Sequence, residues 1–226
     1  MSASQAAMTA SLTDTLCTRC GLCCDGTLLA DVELAGHREI VALEALGLEV
    51  EEDDGADRAL LPLPCRALRG TRCNIYAHRP DCCRTFECRL LQEVGRGRVS
   101  IERAQETIAD ARRRIAHIRG LVAALGGRSA RLPLKERCLE ALARSEELHD
   151  DPKSRRTREE LEAAMTSLDR LIRRAFLGAP SDRRTRAPRP LDRMSRLIQI
   201  APPRPSEPRS SRSRSRPAPR SCRASW

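Results

Sequence analysis

The chain has 226 residues and a formal net charge of +10; 40% of the residues are apolar but only 2% are aromatic. That length holds one or two domains, and the shortage of rings excludes a core built around large aromatic side chains, each of which buries roughly 150–250 Å². The charge excludes more than it offers. Thirteen Arg against three acids (Asp182, Asp192, Glu207) fall from Ala179 onward, which leaves 28 basic and 28 acidic residues in 1–178, so the body of the chain gives no electrostatic argument for nucleic acid.

Residues 1–16 show neither a basic n-region nor an apolar h-region, and the sequence reads as lacking a signal peptide. No stretch approaches the roughly 18 consecutive apolar residues of a membrane span. The expected location is therefore the cytoplasm, where thiols stay reduced and clustered cysteines indicate a metal or redox site rather than a disulfide framework.

In chain order, residues 1–14 read as a flexible N-terminus. Next comes Cys17-Thr18-Arg19-Cys20-Gly21-Leu22-Cys23-Cys24, four thiols in eight residues. Thr27–Leu34 alternates weakly, as a short strand does. Gly36–Leu46 has helical spacing (Ile40, Val41, Leu43, Leu46) and stops at Gly47. The acidic run Glu51–Gly55 reads as a turn, and Arg58–Leu63 as a second strand, so that the two strands make a hairpin. A loop, Arg69–Arg72, leads into Cys73, and Pro80 sets a rigid bend before Cys82, Cys83 and Cys88. A helix is expected from about Pro80 to Glu93.

From Ser100 the period changes to seven. Ile101, Ile108, Ile115 and Val122, with Ala104, Ala111, Ile118 and Leu125, form an apolar seam of nearly four heptads that ends at Gly126-Gly127. A second helix is predicted for Leu134–Leu148, and a third from a capping box at Thr157–Glu160 to Gly178. Three amphipathic helices on short loops suggest a helical bundle, preferred here over a dimerising coiled coil. Nine of the fourteen prolines lie between Pro180 and Pro219, and Ser211–Arg216 alternates Ser and Arg. Such a composition cannot offset its chain entropy by burial, which predicts a disordered tail. The expected organisation is α+β and predominantly helical: a flexible N-terminus (1–14), a small metal-organised cysteine-cluster domain with short strands (15–98), a helical region (99–178) and the disordered tail (179–226).

Thiolates bind zinc in tetrahedral sites or iron in iron–sulfur clusters. A C-x-x-C turn directs two sulfurs at one centre, and Cys17, Cys20 and Cys23 extend that turn by three residues. Adjacent side chains such as those of Cys23 and Cys24 point apart, which suits two metals or two sides of one cluster. Four ligands complete a tetrahedral zinc, so eight well-placed thiols imply two ions or one polynuclear cluster. Eight thiolates with two divalent ions carry about −4, because coordinated thiols are deprotonated. Arginines crowd the region, and Arg79 and Arg84 are expected to donate to sulfur. His78 is a weaker candidate ligand. Asn74, Tyr76 and Asp81 read as turn and packing residues.

The pattern C-x-x-C-x-x-C-C, a later Pro-Cys, then C-x-I-Y-x-x-R-P-x-x-C-R-x-F-x-C resembles the zinc- or iron-chelating cysteine-cluster proteins of the YkgJ (CxxCxxCC) type. It is carried here by Cys17, Cys20, Cys23, Cys24, Cys65, Cys73, Ile75, Tyr76, Arg79, Pro80, Cys83, Arg84, Phe86 and Cys88, over roughly residues 15–92. The resemblance implies a small cytosolic protein with eight metal-binding cysteines, Cys17, Cys20, Cys23, Cys24, Cys65, Cys73, Cys83 and Cys88, with Tyr76, Arg79 and Arg84 around them. Cys82 occupies a variable position of the motif and is left out of the ligand set.

The expected function is metal binding (zinc or iron, including iron–sulfur), with the metal organising the fold and no catalysis by the protein itself. An iron–sulfur redox protein or oxidoreductase is the alternative. Against it stand the lack of a Gly-rich nucleotide loop, of a substrate-binding constellation and of a second domain for a cofactor. A nucleic-acid-associated protein acting through its basic tail is a third reading; such binding is weak, non-specific and salt-sensitive, and Trp226 is the one stacking aromatic near those arginines. The helices are the expected place for a protein partner or self-association, and no membrane contact is expected.

Overall fold

The computed structural model describes residues 12–53, 58–148, 151–178 and 222–224. It opens with a π-helical turn, Thr13–Cys17, that runs into the short helix α1 (Thr18–Cys20). Residues 12–14 of the expected flexible N-terminus are helical, and its first eleven residues lie outside the described residues. Three strands follow around one helix: β1 (Leu29–Glu33), α2 (His37–Ala45), β2 (Glu51–Asp53) and β3 (Arg58–Pro62).

β1 and β3 pair antiparallel with Val32 opposite Leu61, as the hairpin reading expects. A register irregularity between Leu29 and Asp31 lets Leu29 and Val32, three residues apart, both be buried. The acidic run departs from expectation. Glu51–Asp53 is a strand paired with Arg58–Leu60, because the free edge of β3 satisfies backbone groups that local composition alone would leave to a turn. Carboxylates on an edge strand also discourage edge-to-edge pairing with other chains. A further strand, β6 (Cys222–Ala224), completes the sheet in the order β2-β3-β1-β6. The rest of the predicted disordered tail, 179–221 and 225–226, lies outside the described residues.

The second cysteine set is carried by a small hairpin, β4 (Leu68–Arg69) and β5 (Arg72–Cys73), by a 3-10 turn (Tyr76–His78), and by helices α3 (Asp81–Thr85) and α4 (Arg89–Gly95). The single helix expected over Pro80–Glu93 is therefore broken. Phe86 and Cys88 are extended, at φ −69°, ψ 121° and φ −66°, ψ 159°. The break starts a new helix at Cys88 and aims free N–H groups at its sulfur, as described below.

The helical region consists of α5 (Ile101–Ala124), α6 (Leu134–Leu148) and α7 (Pro152–Ile172), the last ending in a π-turn, Arg173–Leu177. Ser100 caps α5 by accepting from the Arg103 N–H. The heptad seam is buried at Ala104, Ile108, Ala111, Ile115, Ile118 and Val122, so its apolar face is consumed within the chain. α7 begins five residues before the predicted capping box. Asp151 accepts from the N–H groups of Lys153 and Ser154, and Pro152 sits in the first turn, where its missing N–H costs nothing. Thr157 lies inside the helix, and its hydroxyl donates to the Lys153 carbonyl at 3.0 Å.

One continuous cluster of buried side chains runs from Leu16 and Leu22 through Leu90 and Val94 to Ile118 and Phe176. The cysteine segment and the three helices share it, and both belong to one compact unit. Among the described residues no helix is long and apolar enough to cross a membrane.

Candidate metal centre

Cys17 and Cys20 lie about one helical turn apart, and the chain then reverses at Gly21, whose φ is +69°. The Gly21 N–H donates to the Cys17 carbonyl at 3.2 Å, and the Gly21 carbonyl accepts from both Cys24 and Asp25 at 3.0 Å. A β-carbon at Gly21 would lie 3.1 Å from the Thr71 α-carbon, so only glycine lets the β4–β5 turn pack this closely. Thr71 is held there by its hydroxyl, which donates to the Thr18 carbonyl at 2.7 Å.

The later cysteines are brought back by backbone pairing. Cys65 follows a cis Leu63–Pro64 peptide bond, and its N–H donates to the Cys24 carbonyl at 2.8 Å. Cys73 stands opposite Leu68 in the hairpin, whose N–H donates to the Cys65 carbonyl at 3.0 Å. Cys83 is carried by α3, and Cys88 is the N-cap of α4.

Cys17, Cys20, Cys23, Cys24, Cys65, Cys73, Cys83 and Cys88 all line one cavity of about 150 Å³, walled on its apolar side by Leu28, Leu29, Val32, Leu61 and Leu63. All eight are free thiols. Cys82 is buried, disulfide-bonded and absent from the cavity wall. Burial is the main influence on the thiols. It pushes Cys17 up to about 11 and Cys24 and Cys83 up to about 12, and it raises Cys20, Cys23, Cys65 and Cys88 as well. Without a cation these sulfurs stay protonated.

Opposing burial are N–H groups directed at sulfur: Leu22 at Cys20, Ala67 and Leu68 at Cys65, and Leu90 and Leu91 at Cys88. Such donors favour the thiolate and fix its lone pairs. The thiols also act on one another in a pattern. Cys17, Cys20 and Cys23 each feel Cys88, whereas Cys24 feels Cys83, Cys65 and Cys73. Cys83 in turn feels Cys65 and Cys73. The two sets meet where Cys23 adjoins Cys24 in the chain.

Arg79 is the cation next to both sets, favouring the charged form of Cys17 and of Cys83. Its guanidinium lies 3.6 Å from the centre of the Tyr76 ring, and its Nε donates to the Tyr76 carbonyl at 3.0 Å. Tyr76 donates its hydroxyl to Asp14 at 3.0 Å, which ties this cation to the first helical turn. Arg84 also lines the cavity, but its guanidinium pairs with Asp81. The Asp81 N–H donates to Glu39, whose carboxylate also receives the Ala35 N–H. His78 is exposed and away from the cavity wall. Cys138 is fully buried in α6, where it acts as a small apolar side chain.

Two residues outside the motif reach the site from α5. Arg112 donates to the Cys20 carbonyl at 2.9 Å, and Arg119 to the Asp25 carboxylate at 3.1 Å. They are seven residues apart, on one helix face, and clamp both ends of the Cys20–Asp25 turn. The seven-residue spacing of two arginines is the sequence signal that could have identified them.

As they stand, no three His, Cys, Asp or Glu side chains among the described residues converge tightly enough to hold an ion. Chelation therefore requires the thiols to turn toward one another across the cavity they share. The donor chemistry fits such a centre: eight soft ligands, buried, with N–H groups already aimed at three of them. All-thiolate donor sets suit soft and borderline metals, zinc and iron among them.

No curated protein and no solved structure matches the chain. Residues 16–110 match the CxxCxxCC family model, described as "Putative zinc- or iron-chelating domain". The match covers every cavity cysteine and stops two residues short of Arg112. Residues 16–110 thus carry a segment similar to the CxxCxxCC zinc- or iron-chelating domain.

Proposed function

We propose that this protein chelates zinc or iron through the thiolates of Cys17, Cys20, Cys23, Cys24, Cys65, Cys73, Cys83 and Cys88, and that the metal organises the cysteine segment without catalysis by the protein itself. The observation that carries this reading is the shared cavity: eight free thiols from four separate stretches of chain line one buried space. A segment poor in large apolar groups gains from a metal the cross-linking that its core cannot supply. Bound metal would replace eight S–H groups in an apolar wall with coordinated thiolates, and Arg79 would offset part of the resulting charge. Arg112 and Arg119 would hold the Cys20–Asp25 turn against the helices, so that loading is felt by the whole compact unit. The cytoplasm, a reducing compartment, suits the eight free cavity thiols, from which Cys82 stands apart as a disulfide.

The test is anaerobic purification followed by metal analysis and visible absorbance. Zinc in a colourless protein supports chelation and excludes the iron–sulfur redox alternative, whereas iron with acid-labile sulfide and a brown colour favours that alternative. A reduced protein that takes up neither zinc nor iron would sink both.

A further inference from the structure

The eight thiols could enclose one polynuclear cluster or divide between separate centres, and the chain's own pairing bears on this choice. Cys24, Cys65 and Cys73 are joined by main-chain hydrogen bonds, Cys65 N–H to the Cys24 carbonyl at 2.8 Å and Leu68 N–H to the Cys65 carbonyl at 3.0 Å, with Cys73 opposite Leu68 in the hairpin. Cys83, on α3, is their electrostatic neighbour. Cys17, Cys20 and Cys23 belong to one helical turn and its exit, and the fourth thiol beside them is Cys88, at the start of α4.

The break at Phe86 is what separates Cys83 from Cys88. In one unbroken helix they would be five residues apart on a single rigid rod, whereas the extended Phe86–Cys88 stretch ends one helix and starts another between them. Cys23 and Cys24, adjacent in the chain, likewise go to different sets.

We propose that the cavity holds two separate tetrathiolate centres, one ion bound by Cys17, Cys20, Cys23 and Cys88 and a second by Cys24, Cys65, Cys73 and Cys83. Each set contains four thiols, the number that a tetrahedral zinc or iron ion takes. Each set also has main-chain N–H donors to sulfur: Leu22, Leu90 and Leu91 in the first, Ala67 and Leu68 in the second. Two divalent ions with eight thiolates carry about −4, and Arg79, beside Cys17 and Cys83, is the cation common to both. Loading deprotonates four thiols per ion, and the four protons leave to solvent; no electrons move.

This inference rests on the chelation reading above, and the experiment separates the two. The full-length reduced protein is loaded with cadmium-113 as the probe ion and studied by cadmium NMR together with native mass spectrometry. The expected result is two bound ions and two resonances of equal intensity in the all-thiolate range, with no cadmium–cadmium coupling. Cys88→Ser should shift or remove one resonance and spare the other, and Cys73→Ser should do the reverse. Should either variant fail to fold, the wild-type titration still decides: a one-ion species with a single intact resonance supports separate centres. A cadmium–cadmium coupling through a bridging sulfur, or a single substitution that alters both resonances alike, overturns the division while leaving chelation intact. No cadmium uptake by the reduced protein overturns chelation itself.

Discussion

Gly21→Ala is the most direct probe of how the fold holds the site together. The backbone at Gly21 has φ +69°, a left-handed conformation that costs an L-residue roughly 1–2 kcal/mol. Its new β-carbon would stand 3.1 Å from the Thr71 α-carbon and 3.4 Å from the Thr71 carbonyl oxygen. That is backbone, pinned by the Thr71–Thr18 hydrogen bond, and it cannot swing aside; the overpacking adds about 1–2 kcal/mol more. The total of about 2–4 kcal/mol falls on the state in which the Cys17–Cys24 turn is closed. If metal requires that closed turn, apparent affinity drops about 30- to 1,000-fold, at 1.4 kcal/mol per decade. Competition for zinc against a chromophoric chelator at neutral pH measures this. Gly97→Ala is the control: its φ is also +69°, but nothing lies within 4 Å of the added carbon. It should lower stability by about 1–2 kcal/mol through backbone strain alone and leave zinc affinity as it was. Wild-type affinity in Gly21→Ala would refute the argument that the turn must stay closed for metal to bind.

Four further outcomes are expected. Because burial holds Cys17 near 11 and Cys24 and Cys83 near 12, the metal-free protein is a thiol at neutral pH, and loading should release about one proton per coordinating sulfur. A pH-stat titration that collects about eight protons per fully loaded chain agrees with this, and two or three would not. The same shifts set the sign for the metal-free fold: these thiols are raised above their ordinary value of 9.0, so stability is complete below about pH 9 and declines toward pH 11–12 as the unfolded chain ionises first. Urea midpoints measured across that range test it. Ile118→Ala, at a fully buried seam position, should cost about 2–5 kcal/mol in denaturant unfolding with metal stoichiometry unchanged. Arg112→Gln removes the charge-assisted bond to the Cys20 carbonyl, worth about 1.5–3 kcal/mol, and should speed zinc loss to a chelator. Arg113→Gln, at a largely exposed side chain paired to Asp110, should leave zinc loss unaltered.

Much of the helical architecture is legible in the sequence because its signals are local. The heptads from Ile101 to Val122 predict both the extent of α5 and the residues it buries, and Leu134–Leu148 is read end to end. The start of α7 is misread because Thr157–Glu160 has the composition of a cap, while Asp151-Pro152 supplies the hydrogen bonds of one. The acidic strand β2 is missed for a related reason. Glu51–Asp53 has little strand preference, and what makes it a strand is the edge of β3, which no local window contains.

The thiols divide along the same line. By itself the sequence determines which side chains can chelate and which of them share a turn, because a spacing of three residues fixes direction within one helical turn. Only the tertiary structure decides which distant thiols meet. Cys24 joins Cys65 across forty residues through one main-chain hydrogen bond, and Cys83 and Cys88, five residues apart, separate because the chain extends at Phe86. The Arg112 and Arg119 clamp is also tertiary, since a helix face acquires a role only when another element is placed against it. Local covalent geometry acts over a few residues, whereas the assembly of the site depends on burial and hydrogen bonds between segments that the sequence keeps apart.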